Sequence, residues 1–189
     1  MIKRAKKQDA ANSERDAIAE LVTKSAKGDR AAFGDLIEAT QNRLFRFAIT
    51  LCGDRNLAED LCQEAFIKAH GNLSNLANPN AFVDWLFQIT KNLYLDLCRS
   101  KSSKMASLDD EENGIMAEAA TEGGDMGDIL AIRKALSQFE PEDRCLLVLV
   151  DLEERSYQEA AEILGITEDA VRTRLFRLRK AFIEKMSKF

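Results

Sequence analysis

The chain has 189 residues, 46% of them hydrophobic, and a formal net charge of −5 at pH 7. This length can bury one core, or two small cores joined by a linker. The negative charge is concentrated, because residues 104–128 hold one lysine and eight acidic residues, and the rest of the chain is slightly basic. The acidic average therefore does not exclude a negatively charged partner.

Composition also argues against metal sites, membranes and catalysis. The four cysteines are scattered without a CxxC pair, and His70 is the single histidine, so we expect reduced core cysteines, no metal and no cofactor. No run of 18 apolar residues occurs, and residues 1–16 lack the apolar segment of a signal peptide. We expect a cytoplasmic protein without membrane insertion. With no P-loop and no nucleophile motif, an enzyme is the weaker alternative.

Helical periodicity organises the chain, and strand signals are weak. The sequence predicts an all-α fold of two small helical domains joined by a flexible acidic linker. We expect a disordered basic tail at residues 1–17, a first domain at 18–103, the linker at 104–127 and a second domain at 128–189.

Four helices are predicted in the first domain. The first covers residues 18–27, and Asp29 is a good N-cap for the second, which Gly53 ends. The third covers about residues 57–70. A fourth, aromatic helix follows the pair Asn78 and Pro79, which suit a helix start. Its apolar stripe consists of Phe82, Trp85, Leu86, Ile89 and Leu93.

Residues 156–180 have the pattern of a helix-turn-helix. Ser156 and Glu159 form a capping box that opens a short helix, and Gly165 closes it. Thr167 can cap a second helix, whose apolar stripe consists of Val171, Leu175, Leu178 and Phe182. The opposite face is basic and predicts contact with DNA. It carries Arg172, Arg174, Arg177, Arg179 and Lys180.

A basic amphipathic helix can also be a plain solvated surface. The capped partner helix and the short glycine turn before it favour DNA binding over that alternative. Phe176 lies beside the apolar stripe, so a folded core does not obviously need it.

Two segments together resemble one family, the bacterial sigma factors of the extracytoplasmic-function (ECF) type. DRNLAEDLCQEAFIKAHGNL at residues 54–73 and FVDWLFQITKNLYLDLCR at residues 82–99 look like region 2 of that family. Residues 136–182, which include the helix-turn-helix, look like its region 4. The helix-turn-helix is shared by many regulators, whereas the region 2 pattern is specific.

The resemblance implies partners and site residues. It implies binding to core RNA polymerase and promoter DNA, with promoter recognition, DNA melting and transcription initiation as the function. The polymerase would bind the polar face of the third helix, for which a solvated surface is the alternative. That face consists of Asp54, Glu59, Asp60, Gln63, Glu64 and Lys68.

In the same resemblance, the fourth helix and the loop before it bind the downstream element as it melts. A flipped base would need polar groups, and the strand backbone would need cations. The candidates are Asn75, Asn80, Lys91, Asn92 and Arg99. Phe82 and Trp85 are better explained by core packing, whereas Phe87 and Tyr94 fall off the apolar stripe and are candidates for base stacking.

For the upstream element, the resemblance points to the second helix of the helix-turn-helix. Arginine can bind guanine edges, threonine suits phosphate or base, and an exposed ring can pack on a thymine methyl group. The candidates are Arg172, Thr173, Arg174, Phe176 and Arg177. Many members of the family are held by an anti-sigma factor, so one is an expected partner. A transcription regulator that binds operators without polymerase remains the alternative.

Overall fold

The fold is entirely helical in the part of the chain that the structure, a computed structural model, describes. It describes the backbone of residues 2–105 and 126–187 and the side chains of residues 13–101 and 131–187. No strand occurs in those segments, so the prediction of an all-α fold is confirmed. The helices are α1 Ile2–Ala26, α2 Arg30–Cys52, α3 Arg55–Asn72, α4 Phe82–Met105, α5 Met126–Ser137, α6 Pro141–Leu147, α7 Tyr157–Leu164 and α8 Glu168–Met186.

Local start and stop signals lie where the sequence predicts them. The carboxylate of Asp29 accepts hydrogen bonds from the backbone N–H groups of Ala31 and Ala32, at 3.0 and 3.1 Å. Gly53 ends α2 in the left-handed conformation, with φ of 69°. Both confirm the predicted caps, because a side-chain acceptor satisfies free N–H groups and glycine adopts positive φ without strain.

The start of the chain differs from the prediction. Helix α1 begins at Ile2, so residues 2–17, predicted as a disordered tail, have helical backbone. This segment contains neither glycine nor proline and is rich in alanine and lysine, a composition with high helix propensity. Asn78 also caps a short 3₁₀ turn, Pro79–Ala81, that leads into α4, and not α4 itself.

Helices α1–α4 form the first lobe and α5–α8 the second. The first lobe is centred on fully buried Leu36, Phe47 and Phe82. The second lobe is centred on Leu146, Leu149 and Leu175. A π-helical turn, Val148–Leu152, follows α6 and precedes α7.

The two lobes pack against each other. Their buried apolar residues form one continuous cluster, and α4 contacts both α6 and α7. The sequence analysis predicted tethered lobes and did not predict this contact. The predicted linker, residues 104–127, lies outside the described residues except at its ends, which belong to α4 and α5.

Cysteine placement agrees with the expected role in packing. All four thiols are free, with Cys145 buried and Cys52, Cys62 and Cys98 half-buried. Among the described residues, no helix is long and apolar enough to cross a bilayer. The same residues contain no cluster of three or more His, Cys, Asp or Glu side chains suited to a metal ion.

Candidate nucleic-acid interface and acidic ridge

Helices α7 and α8 are set by local capping. The N–H of Ser156 donates to Oε2 of Glu159 at 2.9 Å, and the N–H of Glu159 donates to Oγ of Ser156 at 3.2 Å, which completes the capping box. Gly165 ends α7 with φ of 72°. Oγ1 of Thr167 accepts from the N–H of Ala170 at 3.2 Å and starts α8. The two helices have the order and spacing that the sequence predicts.

One face of α8 packs inward and the other is exposed. Val171, Leu175 and Leu178 are buried, as the apolar stripe predicts. Phe176 is 77% exposed. Arg172, Thr173 and Arg177 are exposed as well. This face presents cations and an aromatic ring to solvent, the composition expected of a helix that enters a major groove.

Arg174, predicted to contact DNA, is bound to an acidic residue of its own lobe in this structure. Its Nη2 is 2.6 Å from Oδ1 of Asp143 on α6, and its Nε donates to the same oxygen at 3.2 Å. Its side chain is 35% exposed. Both nitrogens donate to one carboxylate oxygen in a charge-assisted contact, so Arg174 is bound to α6 of its own lobe in this structure, and its predicted contact with DNA stays untested. Arg179 donates to both carboxylate oxygens of Asp151.

Arg172 keeps an exposed position but also has acidic neighbours. Its guanidinium lies 3.1 Å from Glu168 and 3.6 Å from Asp169, both in the first turn of α8. These are solvent-exposed pairs of one helix, which contribute little to stability and exchange readily for a phosphate. Arg172 therefore stays available for binding.

The predicted polymerase-binding residues line α3, and we call them the acidic ridge: Asp54, Glu59, Asp60, Gln63, Glu64 and Lys68. Apart from Asp54, all of them are exposed. Ile67 lies on the same face as Asp60, Gln63 and Glu64 and is 58% exposed. A single exposed apolar side chain is common on protein surfaces, so Ile67 is compatible with an interface and does not by itself indicate one.

Asp54 has a structural role that the sequence analysis did not assign. Its Oδ1 accepts a hydrogen bond from the N–H of Leu57 at 2.9 Å, which makes Asp54 the N-cap of α3. The carboxylate is half-buried and sits at the positive end of the helix. Any contribution to binding therefore has to be separated from helix capping.

The predicted downstream residues divide into an exposed and a buried group. Asn75, Asn80, Asn92 and Arg99 are exposed. The guanidinium of Arg99 lies 3.0 Å from Asp96 of the same helix. Asn80 precedes α4 by two residues, whereas Asn92 lies about 15 Å along the helix axis from the first residue of α4. These side chains therefore do not form one compact pocket.

Lys91 is placed differently from the prediction, because it is only 8% exposed. Burial lowers the pKa of its ammonium group, and Cys145 and Glu142 on α6 counteract that shift. Helix α6 of the second lobe thus lies beside it. Most of the Lys91 side chain is therefore covered in this arrangement, and its contact with a DNA backbone stays a prediction.

The two predicted stacking rings are also buried. Phe87 is 1% exposed and packs on Phe47, with ring centroids 4.7 Å apart. Tyr94 is 3% exposed, and its hydroxyl oxygen accepts a hydrogen bond from Arg144 of the second lobe at 2.7 Å. In this arrangement Phe87 is covered by Phe47 of its own lobe and by Arg155 of the second lobe, and Tyr94 contacts the second lobe, which the periodicity of α4 alone does not show.

Each of the two lobes matches a known family model. Residues 36–104 match the family model for sigma-70 region 2, and residues 129–182 match the model for sigma-70 region 4. The chain belongs to the ECF sigma factors. Among its relatives are the ECF RNA polymerase sigma factor SigE of Mycolicibacterium smegmatis, 33% identical over 170 residues, and SigM of Mycobacterium tuberculosis, 30% identical over 162 residues.

Coverage differs among these relatives. The alignments span 86% of this ECF chain and 66% of SigE, and 85% of this chain and 80% of SigM. A probable RNA polymerase sigma factor of Xanthomonas campestris, RfaY, is 32% identical, and the alignment covers 40% of its length. The chain thus spans less than two thirds of two of these relatives.

Two solved structures share the fold of this ECF protein. One is the sigma factor RpoE of Bartonella quintana in complex with the anti-sigma factor NepR, with a TM-score of 0.74 and 24% identity over 82% of this chain and 96% of that one. The other is CnrH in complex with the cytosolic domain of CnrY, with a TM-score of 0.68 and 23% identity over 91% and 98%. The likeness extends across both lobes.

Proposed function

We propose that this ECF protein binds core RNA polymerase and directs promoter recognition, DNA melting and transcription initiation. The observation that supports this best is that a region 2 lobe and a region 4 lobe lie in one chain. A regulator that acts only through a reader helix has no need of the first lobe. The protein contributes binding and positioning, carries no catalytic step of its own, and works in the cytoplasm, where polymerase is found.

Polymerase binding is assigned to the acidic ridge. Its exposed carboxylates can form charge-assisted hydrogen bonds with a basic helical surface and steer association toward it. Ile67 can be desolvated at the centre of that contact. We infer from this combination that the ridge docks on the enzyme.

Upstream promoter recognition is assigned to Arg172, Thr173, Phe176 and Arg177 of α8. All four are exposed on one side of the helix, opposite the packed stripe. Arg174 is left out of this set, because Asp143 holds it. Downstream contacts are assigned to Asn75, Asn80, Asn92 and Arg99, and Lys91 is left out because most of its side chain is covered.

An anti-sigma factor is a further proposed partner. The two solved structures of similar fold are complexes of that kind. A protein that binds both lobes would occlude the ridge and the reader face together, which explains how one partner could silence the chain.

The test is run-off transcription with bacterial core polymerase and this chain on a genomic promoter library. We expect specific initiation that Arg177→Ala and Phe176→Ala weaken through the upstream element, each by about 1–3 kcal/mol of discrimination. Arg174→Ala is the matched control, and it should leave promoter choice unchanged.

Two outcomes would contradict the proposal. One is the absence of any initiation with core polymerase. The other is tight, sequence-specific binding to duplex DNA by the chain alone in a gel shift, which would favour an operator-binding regulator. Binding of the polymerase complex should weaken steeply with salt, because phosphate contacts release counterions.

A further inference from the structure

Arg174 of α8 is bound by an acidic residue of α6. Its Nη2 and Nε both donate to Oδ1 of Asp143, at 2.6 and 3.2 Å. The side chains of Arg174 and Asp143 are 35% and 26% exposed, so solvent screens the pair only in part. This charge-assisted contact holds the guanidinium on α6 and occupies donors that could otherwise bind another anion.

Arg174 borders the exposed face of α8 to which upstream recognition is assigned. That face, the reader face, consists of Arg172, Thr173, Phe176 and Arg177. Arg174 and Arg177 line one cleft between α6 and α8, together with Asp143. They are three positions apart, and the Cβ atoms of such neighbours on a helix lie about 5–6 Å from each other. A DNA strand at Arg177 is therefore within reach of the Arg174 side chain once Asp143 releases it.

The core of the second lobe does not depend on this pair. Helix α8 packs through its apolar stripe, and α6 through buried residues that include Cys145 and Leu146. A partly exposed ion pair adds little to such packing. Asp143 also lies in the first turn of α6, where a negative charge is favourable, but Glu142 supplies the same charge there. The feature that sets Asp143 apart is its contact with Arg174.

We propose that Asp143 limits the affinity of the second lobe for DNA of any sequence, because it holds Arg174 on α6 and so keeps that guanidinium from a backbone phosphate at the border of the reader face. This role rests on the assignment of α8 to DNA in the function proposed above. Phosphate contacts add affinity but carry no sequence information. A phosphate contact that is withheld therefore lowers binding to promoter and non-promoter DNA alike.

Asp143 acts on DNA affinity in two ways. Its carboxylate repels phosphates directly, as any acidic residue near the reader face does, and it also binds Arg174. The two contributions differ in one respect, because only the second requires Arg174. A double-substitution cycle of Asp143 and Arg174 separates them.

The experiment is fluorescence anisotropy of the free full-length chain with a labelled DNA duplex that contains no promoter, at a series of salt concentrations. We expect Asp143→Asn to raise the affinity about two- to fivefold, the range of an exposed ion pair. The slope of log K against log salt should become steeper by about 0.9, which corresponds to one more phosphate contact. Arg174→Ala should remove this gain in the Asp143→Asn background and have little effect in the unmodified chain.

Glu162→Gln is the matched control. Glu162 is an exposed acidic residue of α7 in the same lobe, and its Oε1 accepts a hydrogen bond from Gln158 at 3.2 Å. The substitution removes the same charge from beside a neutral partner, so the salt slope should stay that of the unmodified chain. Circular dichroism shows whether each variant keeps its helices, and Asp143→Ser repeats the test if Asp143→Asn does not.

Two results would overturn the role of Asp143. One is an unchanged affinity and salt slope in a folded Asp143→Asn variant. The other is a gain that persists in full when Arg174 is also replaced by alanine, which would assign the gain to the lost charge alone. Failure of the chain to initiate transcription with polymerase would contradict the proposed function. The anisotropy cycle needs neither polymerase nor a promoter, so it would still decide the role of Asp143.

Discussion

Nη1 of Arg144, in the second lobe, donates a hydrogen bond to the hydroxyl oxygen of Tyr94, in the first lobe, at 2.7 Å. The same nitrogen donates to the carbonyl oxygen of Leu51 at 2.8 Å. The other guanidinium nitrogens bind carbonyl oxygens of the second lobe itself, those of Leu136, Ser137 and Phe139. One side chain thus closes the turn between α5 and α6 and ties that turn to the first lobe.

Arg144→Ala is predicted to lower the free energy of unfolding by about 1–3 kcal/mol, because it leaves several partly buried acceptors without a donor. Tyr94→Phe removes one of these acceptors and should cost less, about 0.5–1.5 kcal/mol. Urea denaturation followed by circular dichroism measures both. Arg177→Ala, at an exposed site, should stay within about 0.5 kcal/mol. An Arg144→Ala variant as stable as that control would show that the contact does not form.

Asp54 allows helix capping to be separated from partner binding. Asp54→Asn keeps a cap acceptor and loses the charge, whereas Asp54→Ala loses both. We expect Asp54→Ala to cost about 1 kcal/mol of stability and Asp54→Asn much less. If the charge contributes to polymerase binding, both variants should weaken association with core polymerase equally in a pull-down titration. Equal affinity of Asp54→Asn and the unmodified chain would leave Asp54 as a cap alone.

The cysteines should resist alkylation in the folded protein. Burial raises the pKa of the thiols of Cys52, Cys62 and Cys145 to about 12 in each case. The thiolate is the reactive form, so at pH 8 these three thiols should react with iodoacetamide roughly 10³-fold more slowly than in the denatured chain. Peptide mass spectrometry after timed quenching gives the rates. Rapid alkylation of Cys145 in the native protein would contradict the continuous core.

Asp84 should make stability depend on pH in an unusual direction. Burial raises its native pKa above the ordinary 3.8, against the attraction of Arg155, Arg15 and Arg43 and with the repulsion of Glu159. The native state therefore binds this proton more tightly than the unfolded state. The contribution of Asp84 favours the native state at low pH and is lost as the pH rises from 3.8 through the raised pKa.

The measurement is the difference in unfolding free energy between the unmodified chain and Asp84→Asn, taken from pH 4 upward. That difference should decline as the pH rises and then level off above the native pKa of Asp84. Glu159 acts in the opposite sense: burial works to raise its pKa, but hydrogen bonds from Ser156 and nearby arginines leave it lowered. The contribution of Glu159 to the free energy of unfolding is present above pH 4.5 and is lost as the pH falls below it. Both chains contain Glu159, so this contribution largely cancels in the difference between them. If the difference between the unmodified chain and Asp84→Asn rose with pH, the raised pKa of Asp84 would be contradicted.

Sequence patterns predicted the features that depend on neighbouring residues. The caps at Asp29 and Thr167, the capping box at Ser156 and the glycine at 165 were all identifiable, because each involves hydrogen bonds across three or four positions. The outward position of Phe176 followed from helical periodicity in the same way. The starts and ends of α7 and α8 were therefore predictable from local sequence.

Several features that escaped prediction depend on contacts between the lobes. Phe87 and Tyr94 fall outside the apolar stripe of α4 and looked exposed, but both are buried, Tyr94 beside Arg144 of the second lobe and Phe87 between Phe47 and Arg155. Lys91 was misplaced for the same reason. Arg155 and Glu153 lie in a charged run that has no local periodicity, and nothing within a few residues of them indicates partners about 70 and 110 positions away.

The π-helical turn at residues 148–152 makes the contact between the lobes sensitive to the deletion of one residue in that turn. Removal of Val150 would allow ordinary α-helical hydrogen bonding there and swing Glu153 and Arg155 by about 100° away from their partners. Scattering from such a shortened chain should show an expanded molecule with its α7–α8 pair unaltered. Two proteins with identical residues on α8 could then differ in whether their lobes are in contact, as the result of a one-residue deletion.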